Sequence, residues 1–474
     1  MTKPTFAVWF RNDFRFHDHP ALEAAWEAAE EQDGSMMFFF HLHPDFQHNT
    51  DTSNDYFFQT VSSFKEQCEE AGLQLHILSG TVEEAFKTLQ ERTSSLKEIF
   101  YIEDYTPFSR ERDKEAFRTL KETGVRFTGT PGSYIHEPDE IVKHDDTPYK
   151  VYTPFSRKWL QEDKPAEADD HHDRFHNRYH PHQSLSANGE QAFRQVLSNC
   201  SRKWKALGEA AALERLGEFM DDRIEYYDRE RDRPSVAGTS RLSPYIRTGA
   251  LSVRRIYHAA ADKGGQGAET FIKELAWRDF YAMIMYHFPE TADKEFQEKF
   301  RSLEWVTSKS DLKAWQEGRT GFPIVDAGMR QLNETGWMHN RLRMITASFL
   351  TKDYHIDWRE GDAYFADKLI DHDPASNVGG WQWAASTGTD AVPYFRVFSP
   401  VRQSERFDPD GAFIRRYVKE LENVPDKWIH EPHKMPEEEQ KKAACIIGKD
   451  YPEPTVDHKL ERKKAIEMYQ DKGE

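Results

Sequence analysis

Over the first 130 residues, short apolar runs take turns with longer segments of helical period. Residues 5–10 (Thr-Phe-Ala-Val-Trp-Phe) form a continuous apolar run, the pattern of a strand buried on both faces. Comparable runs lie at Ser35–Leu42, Leu73–Leu78, Ile99–Glu103 and Val125–Thr128. Helical periodicity fills the gaps: a helix from about Pro20, a favoured first helical residue, then Asn54–Ala71, Thr81–Arg92 and Arg110–Thr123. Strands alternating with helices predict a doubly wound parallel sheet, a Rossmann-like α/β domain over residues 1–130. Such sheets bind ligands outside the carboxyl ends of their strands. No Gly-x-Gly-x-x-Gly follows the first strand, and no glycine loop closes on Lys-Ser/Thr, so a dinucleotide bound in the usual way is not expected here.

From 131 to 200 the periodicity fades into a stretch rich in Pro, His, Asp and Asn, which reads as an interdomain connector. His171, His172, His176, His180 and His182 fall in it at irregular spacing, the pattern of a solvated linker, and no metal is expected. Residues 201–474 read as an all-α domain. Helices are predicted at Arg202–Asp228, Val253–Asp262, Glu269–His287, Ser310–Gln316, Val325–Glu334, Arg341–Thr351, Asp410–Glu420 and Asp457–Tyr469. Nothing repeats at a solenoid period.

Composition narrows the class. The 474 residues carry a net charge of −18, 38% hydrophobic residues and a mean hydropathy of −0.84. No run approaches the roughly 20 apolar residues of a membrane span. The three cysteines, Cys68, Cys200 and Cys445, are too few and too scattered for a disulfide framework or a thiolate zinc site. With no signal-peptide pattern at the start, the expectation is a cytoplasmic protein that does not engage membranes. The acidic balance opposes nonspecific DNA binding, which phosphate neutralisation drives, although a local arginine groove can exist on an acidic protein.

The chemistry concentrates between Trp358 and Arg396. Trp358-Arg359-Glu360-Gly361-Asp362 is followed by Asp371-His372-Asp373-Pro374, then Asn377-Val378-Gly379-Gly380-Trp381-Gln382-Trp383 and Pro393-Tyr394-Phe395-Arg396. No hydrolytic set fits these residue types. Tryptophan stacks on flat rings and loses single electrons, but three tryptophans can equally fill a helical core. The glycines read as a turn that lets backbone approach a flat ligand. Upstream, Gly238-Thr239-Ser240-Arg241-Leu242-Ser243-Pro244 closes a polar loop and opens a helix, a phosphate cradle or simple capping. In Glu-Leu-Ala-Trp-Arg, the spacing sets Glu274, Trp277 and Arg278 on one helical face; carboxyl, aromatic platform and guanidinium together suit an extrahelical base, and bland core or surface roles suit them too.

The 358–396 stretch, with Trp337-Met338-His339-Asn340-Arg341-Leu342-Arg343-Met344 before it, resembles the flavin-binding signature of the DNA photolyase/cryptochrome family. The form is similar to bacterial class I cyclobutane pyrimidine dimer photolyases, and the similarity runs over nearly the whole chain. The resemblance implies a helical domain that holds FAD through Tyr227, Thr239, Ser240, Arg241, Leu242, Ser243, Phe271, Arg343, Asp371, His372, Asp373 and Asn377. Arg343 and Asp371 would pair beside the flavin ring, and Asn377 would face its N5 as a neutral amide. Trp305, Trp358 and Trp381 match the family's electron-hopping triad. A flipped pyrimidine dimer would meet Glu274, Trp277, Asn340, Met344 and Trp383. DNA would be contacted by Arg231, Glu274, Trp277, Arg278, Asn340, Arg341, Arg396 and Gln403. The resemblance further implies a monomer acting on dimer-containing DNA, and a second antenna chromophore, folate or deazaflavin, on the α/β domain. Phe108 and Ser109 stand where folate-binding members carry Asn-Glu, so the antenna's identity stays open. A blue-light signalling protein is the alternative within the same family. A dark FAD oxidoreductase would need a nicotinamide site that the sequence does not display.

Overall fold

The computed structural model describes residues 3–46, 51–121, 123–169, 171–179, 185, 187–470 and 472. His180 and His182 therefore lie outside the described residues. The chain divides into two compact units, Met1–Glu225 with Ser240–Pro289, and Tyr226–Thr239 with Glu290–Glu474.

The first unit contains a five-stranded parallel sheet of β1 (Thr5–Phe10), β2 (Ser35–Leu42), β3 (Leu75–Ser79), β4 (Leu96–Ile102) and β5 (Arg126–Thr130), in the order β3-β2-β1-β4-β5. The crossovers are α1 (Pro20–Glu31), α2 (Thr52–Glu70), α3 (Val82–Arg92) and α4 (Pro107–Lys121). Side chains alternate across a strand, and the two faces show it. Phe6, Val8 and Phe10 join a core with Leu22, Phe38 and Phe64, while Ala7 and Trp9 join another with Phe39, Phe86 and Leu120. Each residue of β1 is buried, as a parallel sheet covered on both faces requires.

The connector is more ordered than its composition implies. It holds α5 (Tyr152–Gln161), α6 (Phe175–Arg178) and α7 (Ala187–Asn199). Proline and histidine masked them: α5 is short and buries only Phe155 and Trp159, too few turns for a periodic signal. The Trp159 indole donates to the Asp279 carboxylate at 2.8 Å, and His136 N donates to the same oxygen at 3.0 Å. The unit is completed by α8 (Gly208–Asp222), and, after α9 (Tyr227–Glu230) of the second unit, by α10 (Ser243–Arg247), α11 (Val253–Lys263) and α12 (Gly265–His287). Arg202–Asp228 is thus not one helix; α8 starts at Gly208 and a 3-10 turn separates it from α9.

The second unit is helical: α9 with α13 (Lys309–Glu317), α14 (Pro323–Thr335), α15 (Asn340–Lys352), α16 (Trp358–Lys368), α17 (Pro374–Ala384), α18 (Pro400–Phe407), α19 (Ala412–Tyr417), α20 (Glu437–Lys442) and α21 (His458–Gln470). Gly379-Gly380 is helix interior within α17, not a turn. Asp373 caps that helix by accepting from Ser376 N at 2.8 Å and Pro374 occupies its first turn, and these start signals outweigh the two glycines. Among the described residues no helix is long and apolar enough to cross a membrane.

Candidate functional site

Within the first unit, Glu274, Trp277 and Arg278 lie half-buried along one face of α12 as their spacing requires. The Trp277 ring is backed by Tyr152, stacked at 3.6 Å between centroids and 7° between planes. The Tyr152 hydroxyl donates to the Lys273 carbonyl at 2.7 Å, fixing that ring in turn. Arg278 lies over the Tyr134 ring at 4.3 Å and donates to the Ser133 carbonyl at 2.7 Å. Tyr152 and Tyr134 belong to the connector and its approach, and sequence reading missed both. No local motif marks a residue whose role is to support a ring more than a hundred positions away.

The 240–243 segment is anchored by Arg215, whose Nε donates to the Ser240 carbonyl at 2.7 Å, and Leu242 N donates to Ser240 Oγ at 3.3 Å. Arg241 has φ of +54°, a left-handed conformation that costs a non-glycine residue energy and clusters at ligand clamps. Ser243 opens α10, with Leu242 at the cap position making no side-chain cap. Phe271 packs on Phe219 at 4.9 Å.

The second unit brings several predicted partners together. Arg343 Nη2 donates to both Asp371 oxygens, at 3.0 and 2.8 Å, and its Nε to the Met338 carbonyl at 2.9 Å. Asn377 Nδ2 donates to the Asp362 carbonyl at 3.1 Å and to Asp362 Oδ1 at 2.7 Å. Only the NH2 end can donate to a backbone carbonyl, so this amide directs its oxygen elsewhere as an acceptor. Burial pushes the Asp362 carboxyl up to about 7, with Arg359 pulling the other way. Asp362 stood in the sequence stretch without a role; only the fold pairs it with Asn377.

Trp358 and Trp381 meet at α16, and the chain beside Trp305 reaches the residues before it. Trp358, Gly361 and Phe365 share its buried face, and Trp381 of α17 lies against Gly361 and packs on Phe365 at 5.0 Å. Val306, next to half-buried Trp305, bridges to Ile356, and its N–H donates to the His355 carbonyl at 2.7 Å, two to three residues before Trp358.

Asn340 is exposed at the start of α15, and Met344 is half-buried one turn on. Trp383 is half-buried against Phe398 at 6.2 Å. Tyr227 is buried beneath the Arg231 guanidinium, 5.6 Å from its ring. Arg341 is engaged: it pairs with Asp232 at 2.8 Å and lies over the Phe407 ring at 4.3 Å. Arg396 is exposed, and the Gln403 side-chain oxygen is buried with no partner among the described residues. His372 N donates to the Leu369 carbonyl at 3.1 Å in the turn between Arg343's partner and the α17 cap.

Residues 6–172 match the DNA photolyase family and residues 271–471 match the FAD binding domain of DNA photolyase. A deoxyribodipyrimidine photo-lyase of Alkalihalophilus pseudofirmus is 49% identical over 465 residues, spanning 98% of this chain and 97% of its own. The chain belongs to the DNA photolyase family. Among solved structures, a bacterial class III photolyase from Agrobacterium tumefaciens is similar with a TM-score of 0.90 and 35% identity, covering 100% of this chain and 98% of its own. A Synechocystis cryptochrome is similar with a TM-score of 0.88 and 27% identity, covering 99% of each chain. Family membership carries the α/β-plus-helical architecture with it. The shared fold of the last two means that photolyase and cryptochrome must be told apart by residues rather than by architecture.

At the two positions that bear on the antenna, Phe108 is exposed and the Ser109 hydroxyl donates to Asp104 at 2.9 Å. Among the described residues no group of three or more His, Cys, Asp or Glu is placed to hold a metal ion.

Proposed function

We infer that the chain is a light-dependent DNA repair enzyme that splits cyclobutane pyrimidine dimers by electron transfer from excited reduced FAD. The full-length identity of 49% to a deoxyribodipyrimidine photo-lyase carries the reading. Bound FAD supplies light absorption and the electron; the protein supplies binding, orientation and electrostatics. The flavin-binding set is Tyr227, Thr239 to Ser243, Phe271, Arg343, Asp371 to Asp373 and Asn377. The donor chemistry fits: hydroxyls and a left-handed residue suit a pyrophosphate, and the Arg343–Asp371 pair offers a guanidinium and a carboxylate beside a flat ring. The Asn377 oxygen, left as an acceptor by the bonds to Asp362, suits a flavin N5–H and has no proton to give. That neutral acceptor favours repair over signalling.

In the same reading Trp277 and Trp383 wall the dimer, Glu274 hydrogen-bonds it, and Asn340 and Met344 complete the pocket. Arg231, Arg278, Arg341, Arg396 and Gln403 serve DNA, and Trp305, Trp358 and Trp381 return the flavin to its reduced form. The functional division is an antenna domain over 1–130, a connector over 131–200 and a catalytic domain over 201–474, in a cytoplasmic monomer. A folate or deazaflavin antenna belongs to the same proposal. Two variants test the pocket. Trp277→Ala should weaken lesion binding in the dark by about 1–3 kcal/mol, the worth of base stacking. Glu274→Ala should lower repair per absorbed photon, because its hydrogen bond strengthens once the pyrimidine holds the extra electron. Parental affinity and yield in both would remove these residues from the site.

A further inference from the structure

We propose that Glu295 tunes electron flow through the tryptophans: by accepting the indole N–H of Trp358, it makes Trp358 easier to oxidise than Trp381 and gives the hops a direction. The inference rests on reading Trp305, Trp358 and Trp381 as a hopping path.

The three indoles sit in different surroundings. Trp381 Nε1 is buried with no hydrogen-bond partner among the described residues. Trp358 is 0% exposed, yet its Nε1 donates to Glu295 Oε1 at 3.2 Å. Trp305 is half-buried and so partly open to solvent. Removing an electron from an indole leaves positive charge on the ring and sharply acidifies its N–H. A carboxylate at that N–H therefore holds the oxidised ring more strongly than the neutral one, and the low-dielectric interior magnifies the difference. Trp381 has no such help, and Trp305 has water.

One nearby group opposes this. The Arg359 guanidinium lies 4.6 Å from the Trp358 ring and disfavours a positive charge there. Arg359 is held by two carboxylates, however: Glu295 at 3.0 and 2.9 Å, and Asp357 at 3.0 and 3.2 Å. The two carboxylates on Arg359 offset its charge at the middle tryptophan. Burial pushes the Glu295 carboxyl up, but the Arg359 hydrogen bonds bring it below the ordinary range, so it is ionised at neutral pH. Its backbone is fixed by Arg301 Nε, which donates to the Glu295 carbonyl at 3.0 Å.

The step is a single-electron transfer. The electron acceptor would be bound oxidised flavin excited by light, the form that the tryptophans return to its reduced state, and Trp381 would give up the first electron. Trp358 gives one electron to the oxidised Trp381, which returns to a neutral indole. The indole proton of Trp358 stays in its hydrogen bond to Glu295, and Trp305 then refills Trp358.

The test uses FAD-loaded protein, flash absorption of the charge-separated state, and ultraviolet resonance Raman in the dark to read indole N–H bonding. The parent should show a strongly bonded N–H band that vanishes in Trp358→Phe and shifts in Glu295→Gln. Glu295→Gln keeps an acceptor but loses the charge, so the yield of long-lived separation should fall about tenfold, the scale of a charged against a neutral hydrogen bond. Asp357→Asn, which also removes one charge from Arg359 but none from the N–H, should stay within about twofold, as for a partly exposed ion pair. A parental yield in Glu295→Gln while Trp358→Phe is blocked would overturn the tuning role and leave the path intact. Parental photoreduction in Trp358→Phe would overturn the path, and the proposal with it. An equal loss in Asp357→Asn would overturn the N–H contact as the cause. Should Glu295→Gln fail to fold, a parent lacking the strongly bonded band would overturn the proposal alone.

Discussion

A single methyl group at Gly361 should displace the tryptophan packed against it. A Cβ built there would lie 2.0 Å from Cη2 of Trp381 and 2.5 Å from its Cζ2 and Cζ3. Non-bonded carbons rest at about 3.5–4.0 Å, so the ring or α16 must withdraw by roughly 1.5–2 Å. The indole is a rigid plate, 2% exposed, and Phe365 and Trp315 hold it at 5.0 and 5.9 Å between centroids. A core packed to crystal density cannot take up that shift locally. Gly361→Ala should cost about 1–3 kcal/mol by overpacking, offset by at most about 1 kcal/mol from alanine's helix preference. Gly380→Ala is the matched control on α17, where a Cβ meets nothing within 4 Å. It should instead stabilise by about 0.5–1 kcal/mol. Urea unfolding midpoints and light-driven reduction of bound flavin read both effects. Gly361→Ala should lower the midpoint and slow photoreduction, whereas Gly380→Ala should raise the midpoint and leave photoreduction alone. Equal midpoints and equal photoreduction in the two variants would refute the packing argument.

Asp362 makes stability depend on pH. Its carboxyl stands at about 7 in the folded protein against an ordinary 3.8, so between those values the native state keeps a proton that the unfolded chain has released. This contribution is complete below pH 3.8 and is lost as pH rises towards 7. Asp362→Asn should flatten the decline by about 1.4 kcal/mol per pH unit in mid-window, checked by unfolding midpoints from pH 4.5 to 7.5. An unchanged slope would mean that Asp362 is not the buried acid. Binding to lesion DNA should weaken with salt despite the net charge of −18. Arg396→Ala should lower the log–log salt slope by about one unit. Asp232→Asn should raise affinity by releasing Arg341, and equal affinity with and without Asp232 would exclude Arg341 from the interface.

The α/β half of the fold was legible because its strands are buried on both faces and its helices are long and periodic. The connector was not, since α5 buries only two residues and its partner Asp279 is 120 positions from Trp159. Glycine misled in the other direction: Gly379-Gly380 carries a turn signal, but the Asp373 cap and Pro374 set the helix first. The site divided along the same line. Arg343 with Asp371, and the α12 face, could be read from spacing and resemblance. Asp362, Glu295 and Tyr152 could not, because each acts on a partner brought near only by folding. Their residue types are ordinary, and no local pattern distinguishes them from surface or core neighbours.

Light-dependent repair by the pre-reduced, FAD-loaded protein tests the assigned function most directly. A defined oligonucleotide carrying one cyclobutane dimer is supplied at saturating concentration, in excess over the protein, in darkness or under near-ultraviolet and blue light, and dimer loss is followed by chromatography. Dimers should disappear only in the light, with many turnovers per protein, and the yield should fall in Glu274→Ala. Tight dark binding with no dimer loss under illumination would contradict the repair reading and leave the signalling one.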